Sequence, residues 1–137
     1  MKIEIFKSSC NVETLRDGRG GIFTWLPEEP IVEFNMLYFR PGAVRGHHFH
    51  PEFVEYFLIV EGSGAMVTQD SEEGPREVIH MSKGMCTRAP KGVPHAFYAI
   101  TAVTAVAMLS KRWDDCSPPI VKLDLADPPR GGQTDPT

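Results

Sequence analysis

Short runs of alternating polar and apolar residues, cut at close intervals by Gly and Pro, dominate this chain. Lys2 to Phe6 alternates and reads as a short edge strand. Gly21 to Leu26 (GIFTWL) reads as a strand that stops at Pro27, and Val32 to Arg40 as a longer one bounded by Pro30 and Pro41. Val44 to His50 follows the Pro41-Gly42 turn. Tyr56 to Val60 is an apolar run that meets the tight-turn signal Glu61-Gly62-Ser63-Gly64, and Ala65 to Gln69 returns from it. Beyond the polar loop Asp70 to Arg76, further strands are expected at Glu77 to Met81, Met85 to Arg88, His95 to Ala99, Ala102 to Leu109 and Val121 to Leu125. Roughly nine or ten short strands at near-regular spacing, with no helix of three turns, predict an all-β sandwich or barrel.

Composition sharpens this. Gly and Pro number 12 each in 137 residues, which favours a turn-rich fold. The length fits one domain, placed at residues 1–125 with its core over 32–109, before a loose tail over 126–137 that lacks core-forming residues. A net charge of −4 and a pI near 5.7 argue against a nucleic-acid partner. No apolar run reaches the roughly 18 residues a membrane span needs. MKIEIFKSSC lacks the apolar core of a secretory signal. The cysteines, Cys10, Cys86 and Cys116, are odd in number and far apart, which suits a reducing, cytoplasmic setting.

The candidate chemistry is a histidine cluster. His48 and His50 are two apart, so on a strand they share a face, with His47 on the other. His95 shares a face with Phe97. If Glu55 opens the next strand inward, Phe57 and Ile59 line the core beside it. A carboxylate buried among imidazoles needs a partner, and a divalent metal is a natural one for both ligand types. Three His and one Glu leave coordination positions open, as a catalytic metal requires.

Gly42, His48, His50, Glu55 and Gly62 follow the spacing G-x5-H-x-H-x4-E-x6-G, and Gly84, Pro90, Gly92 and His95 follow G-x5-P-x-G-x2-H. Over Val32 to Leu109 the chain thereby resembles the cupin superfamily. The resemblance implies a double-stranded β-helix, the cupin jelly-roll barrel. It implies that His48, His50, Glu55 and His95 bind one divalent transition metal (Zn, Mn, Fe or Ni). One departure is Ala99, where the second motif usually ends in Asn.

Asp17-Gly18-Arg19-Gly20 and Arg45-Gly46-His47-His48-Phe49-His50 add a looser similarity to cupins that isomerise or epimerise nucleotide-linked deoxysugars, and to mannose-6-phosphate isomerase-like cupins. That implies a sugar isomerase or epimerase working by proton transfer next to a carbonyl, with a small sugar derivative as partner. In the ketoisomerases the paired histidines move protons without metal, so His48 and His50 are also candidate acid and base. Tyr38 and Arg40 share a strand face and are candidates for proton transfer and substrate binding. Arg45 is a candidate anion ligand, although strict alternation turns it away from His48, so it needs a bulge to reach the site. Other readings are an Fe(II)-dependent dioxygenase-type cupin and a non-catalytic module for a small ligand. His80 reads as a wall residue, Cys86 as a small buried apolar one. A homodimer paired through the Lys2 to Phe6 edge completes the expectations.

Overall fold

In the computed structural model, described for residues 2–7, 18–70 and 74–125, ten strands follow the predicted alternation closely. They are β1 (Glu4–Ile5), β2 (Glu33–Phe39), β3 (Val44–Phe49), β4 (Glu55–Glu61), β5 (Ser63–Gln69), β6 (Arg76–Ser82), β7 (Cys86–Ala89), β8 (His95–Ala99), β9 (Val103–Leu109) and β10 (Val121–Lys122). A single 3-10 turn, Trp113–Asp115, is the one helical element among the described residues, so none of these is a helix long enough to cross a membrane. Cys10, Asp17 and the 126–137 tail lie outside the described residues.

The strands form two antiparallel five-stranded sheets, β1-β7-β4-β9-β2 and β10-β3-β8-β5-β6, stacked as a jelly-roll sandwich. Alternation decides what each strand buries. In β9, Val103, Ala105, Ala107 and Leu109 face the core while the residues between them are partly exposed. Phe39, Phe57 and Phe97 meet at the centre with ring centroids 5.0 to 6.4 Å apart. Each such ring buried contributes on the order of 1.5–3 kcal/mol.

The outer faces are partly covered. Leu123 and Leu125 pack over Val67, Ala96 and Tyr98 of one sheet. Phe6, Trp25 and Ile31 pack over Tyr56 and Cys86 of the other. This corrects the reading of Gly21 to Leu26 as a strand. Among the described residues the segment pairs with no strand; Ile22, Phe23 and Leu26 are exposed, and Trp25 anchors it by donating its indole N–H to the Phe6 carbonyl at 2.9 Å. Burial pushes the Cys86 thiol up to about 12, so it packs as an inert apolar group. His80 is exposed on β6 rather than part of the wall.

Arg88 on β7 ties this cover down. Its Nε donates to Glu29 Oε1 at 3.3 Å and its Nη1 to Glu4 at 3.0 Å, while the Tyr56 hydroxyl donates to Glu29 Oε1 at 2.5 Å. The Arg88 hydrogen bonds, helped by that of Tyr56, outweigh burial and hold the Glu29 carboxyl below its ordinary value of 4.5. A depressed carboxyl stabilises the fold above its unfolded pKa and loses that contribution as pH falls through its folded pKa. Glu29→Gln is therefore expected to lower the melting temperature at pH 7, and the gap from wild type to narrow below about pH 4.5. Thermal melts of both proteins from pH 7 to 3 check this; a gap independent of pH would contradict it.

Candidate metal centre

The site forms where one strand of each sheet approaches the other. β3 and β8 pair antiparallel with His48 opposite His95, so both rings rise from one sheet on the same face. His50 lies just beyond the end of β3. Glu55 opens β4 in the opposite sheet, on the same face as Phe57 and Ile59, and crosses the gap toward the histidines.

The ligand nitrogens of His48, His50 and His95 all lie within 4.8 Å of one another. Glu55 Oε1 lies 3.6 Å from His50 Nε2 and 3.4 Å from His95 Nε2. The ring orientations are set from behind. His50 Nδ1–H donates to the Pro119 carbonyl at 3.1 Å, and His95 Nδ1–H to the Val93 carbonyl at 3.1 Å. A carbonyl only accepts, so each Nδ1 carries a proton and each Nε2 is turned to the centre. Backbone carbonyls that fix the tautomer in this way are the usual outer support of metal-binding histidines. His50 also stacks on Phe53 with centroids 4.2 Å apart.

The donor set passes a chemical test. His50 is 3% exposed, and its Nε2 has no hydrogen-bond partner. An orphaned buried nitrogen costs about 1–3 kcal/mol unless something binds it. Burial, followed by the neighbouring His95 and His50, pushes His48 down to about 4, so it is neutral near pH 7. Burial pushes the Glu55 carboxyl up, but its contacts with His50 and His95 prevail and hold it below the carboxylate range. Three imidazoles and one carboxylate are a donor set that fits a divalent transition metal.

A cavity of about 450 Å³ opens onto this cluster. Strand parity and one bulge decide what lines it. β3 is bulged between Gly46 and His48, where His47 adopts a φ of 56°. The extra residue brings Arg45 opposite Phe97 while His48 stays opposite His95, so both face the cavity. Arg45 lies 6.0 Å over the Phe39 ring. His47 turns to the other side, within 3.3 Å of the Tyr98 hydroxyl, and accepts the Leu125 N–H at Nδ1.

Tyr38 and Arg40 do not reach the site, contrary to expectation. On β2 the inward positions are Leu37 and Phe39; Tyr38 is 69% exposed on the outer face, its hydroxyl donating to Met36 Sδ at 3.4 Å, and Arg40 is exposed beyond the strand end. Two lining residues were not among the candidate site residues. Lys122 of β10 pairs directly with His48, and Trp113 lies 6.3 Å from the His50 ring. Arg45 and Lys122 have no carboxylate partner among the described residues, where Glu55 is the one acidic residue lining the cavity.

The comparisons agree with this architecture. The chain matches the cupin domain family over residues 35–110. No curated protein matches it in sequence. Among solved structures, a 3,4-ketoisomerase from Helicobacter canadensis superposes with a TM-score of 0.73 at 15% identity, covering 88% of this chain and 90% of that one. The capsular polysaccharide assembling protein CapF from Staphylococcus aureus gives 0.64 at 20% identity, covering 80% of this chain, which spans only 32% of CapF. ChmJ, a 3'-monoepimerase from Streptomyces bikiniensis, gives 0.63 at 23% identity, covering 71% of this chain and 59% of that one. At these identities the likeness speaks for fold, and it is the family match across both halves of the histidine cluster that identifies the chain as a member of the cupin domain family.

Proposed function

We propose that this cupin is a metal-dependent isomerase or epimerase that moves a proton next to the carbonyl of a small anionic sugar derivative. The observation that carries the reading is the orphaned Nε2 of His50, buried beside Glu55 and His95 with its ring pinned from behind. His48, His50, Glu55 and His95 would hold the metal. A divalent cation in an open site supplies Lewis-acid charge to a carbonyl oxygen as its neighbouring carbon loses a proton.

The chain's own groups supply the rest. Arg45 faces the cavity beside His48 and suits a phosphate or carboxylate on the ligand. With four residues committed as ligands, proton transfer falls to another group, and Lys122, opposite His48, is the lining residue able to carry one. The fold likeness to sugar-modifying cupins supports the choice of substrate class.

The test is solvent exchange. Metal-loaded protein in D₂O, given phosphorylated and nucleotide-linked keto-sugars, is expected to place deuterium on the carbon beside the carbonyl, read by NMR. Lys122→Ala is expected to slow this by roughly 100-fold or more, the range of general acid–base catalysis, and Arg45→Ala mainly to raise KM. Deuterium uptake unaffected by Lys122→Ala would contradict its role.

A second reading has its own support. Leu37, Phe39, Phe57, Met66 and Phe97 make the rest of the lining apolar, which suits a compact ligand with an apolar body and hence an Fe(II)-dependent oxygenase. Oxygen uptake by the iron-loaded protein with small apolar carboxylic acids, without deuterium uptake from the keto-sugars, would favour it.

A further inference from the structure

His50 owes the direction of its ring to a loop with little regular structure. The Pro119 carbonyl that accepts its Nδ1–H lies on the connection between β9 and β10, residues 110–120, whose one element is the 3-10 turn Trp113–Asp115. Such a connection places an atom accurately only where other groups tie it down. The same connection brings Trp113 and Ile120 to the cavity wall, so its ties bear on the whole site.

Several ties hold its first part. The Ser110 N–H donates to the Val54 carbonyl at 3.1 Å, and Ser110 Oγ accepts the Val54 N–H at 2.9 Å. The Trp113 N–H donates to Glu33 Oε1 at 2.9 Å. Cys116 is buried against Phe53 and Leu109. These ties end at Cys116, and Glu52 carries the hold further. Its Oε1 accepts from Lys111 Nζ at 2.7 Å, and its Oε2 accepts the Ser117 N–H at 2.7 Å. One carboxylate thus bridges both ends of the 111–117 stretch and fixes the chain two residues before Pro119. Hydrogen bonds of this length to an ionised group belong to the strong class. Glu52 also has a firm base. It stands two residues after His50, whose own carbonyl accepts the Gly92 N–H at 2.9 Å.

We propose that Glu52 is a positioning residue of the metal centre, a role that rests on His50 being a metal ligand. Through Lys111 and Ser117 it holds the 111–119 loop so that the Pro119 carbonyl meets His50 Nδ1–H and the ring keeps Nε2 toward Glu55 and His95. Glu52 does not line the cavity, so it acts through His50 and not on a ligand. A surface ion pair with Lys111 alone would contribute little. The second oxygen, bonded to the backbone of Ser117, is what makes the contact a clamp on the loop.

Zinc titration against a chromophoric chelator and proton-detected NMR of the metal-free, ¹⁵N-labelled protein test this together. In the wild type the His50 Nδ1–H is expected as a slowly exchanging resonance, held by the Pro119 carbonyl. Glu52→Ala is expected to lose that resonance to fast exchange and to bind zinc about tenfold or more weakly, as for other outer partners of metal histidines, with cooperative thermal unfolding retained. Loss of a negative charge also weakens cation binding, so charge and position need separating. Glu52→Gln removes the charge but keeps an oxygen for the Ser117 N–H. It is expected to keep the resonance and to stay within about threefold of wild type, because the clamp on the loop survives. A resonance or a zinc affinity unchanged in Glu52→Ala would overturn the proposal. So would a Glu52→Gln protein as impaired as Glu52→Ala, which would show that charge alone acts. A wild type that binds no zinc would remove the metal reading of His50, and the His50 resonance in Glu52→Ala would then decide by itself whether Glu52 positions the ring.

Discussion

His50→Ala is expected to abolish tight metal binding. The ring holds a buried Nε2 that no protein group hydrogen-bonds, and its Nδ1–H is already committed to the Pro119 carbonyl. Losing an outer-shell partner of a metal histidine typically costs about 10–100-fold in affinity, and losing the ligand itself should cost more than about 100-fold. Glu55→Gln removes the one negative charge from a centre that otherwise holds three histidines, so a loss of similar size is expected. Neither substitution touches the ladder between β3 and β8, because His50 lies beyond the end of β3 and Glu55 belongs to the other sheet. Competition titration with a chromophoric chelator measures these affinities, with thermal melts to show that the variants fold. An affinity within threefold of wild type for either variant would remove that residue from the ligand set.

Gly46→Ala is the second large effect. Gly46 has a φ of +116°, and a Cβ there would lie 2.7 Å from both Ala96 Cα and the His95 carbonyl oxygen. Those are backbone atoms of the paired strand, so relief requires β3 to part from β8. Combined strain and clash are expected to cost about 2–4 kcal/mol, or roughly 10 °C in melting temperature for a chain of this size. The same movement separates His48 from His95 and turns Arg45 out of the cavity, so metal affinity should fall with stability. Gly42→Ala is the control. Its φ is +84°, but a Cβ there meets nothing within 4 Å, so it should cost only about 1 kcal/mol and leave the metal site intact. Calorimetry and the same chelator titration check both variants. Equal melting temperatures for the two would show that β3 has room to adapt at the bulge.

How much of this was legible in the sequence follows from what each feature depends on. The sandwich was readable because period-two alternation and Gly/Pro breaks are local properties, and nearly every strand lies within a residue or two of its expected ends. The facing of His48, His50 and Glu55 was readable for the same reason. Gly21 to Leu26 misled because strand-like residues pack on a sheet as readily as they enter one; Trp25 anchors the segment, which forms no ladder with another described strand. The direction of β2 was not readable, since Phe34, Met36 and Tyr38 are as apolar as Leu37 and Phe39 and both parities make a plausible core. Only the burial of Phe39 decides against Tyr38. Arg45 depended on a bulge at His47, a non-glycine residue at positive φ that no local signal marks, although the need for a bulge was clear. Lys122 depended on a two-residue pairing with a strand far back in the chain, which alternation does not encode.

The most direct test of the metal centre is the metal content of the tag-free protein by inductively coupled plasma mass spectrometry, after purification and again after stripping and reconstitution. About one equivalent of a single divalent transition metal per chain, absent from the His50→Ala, Glu55→Ala double variant, is the expected result. Less than a tenth of an equivalent after reconstitution with zinc, manganese, iron and nickel in turn would contradict it, and would return His48 and His50 to the role of a metal-free acid–base pair.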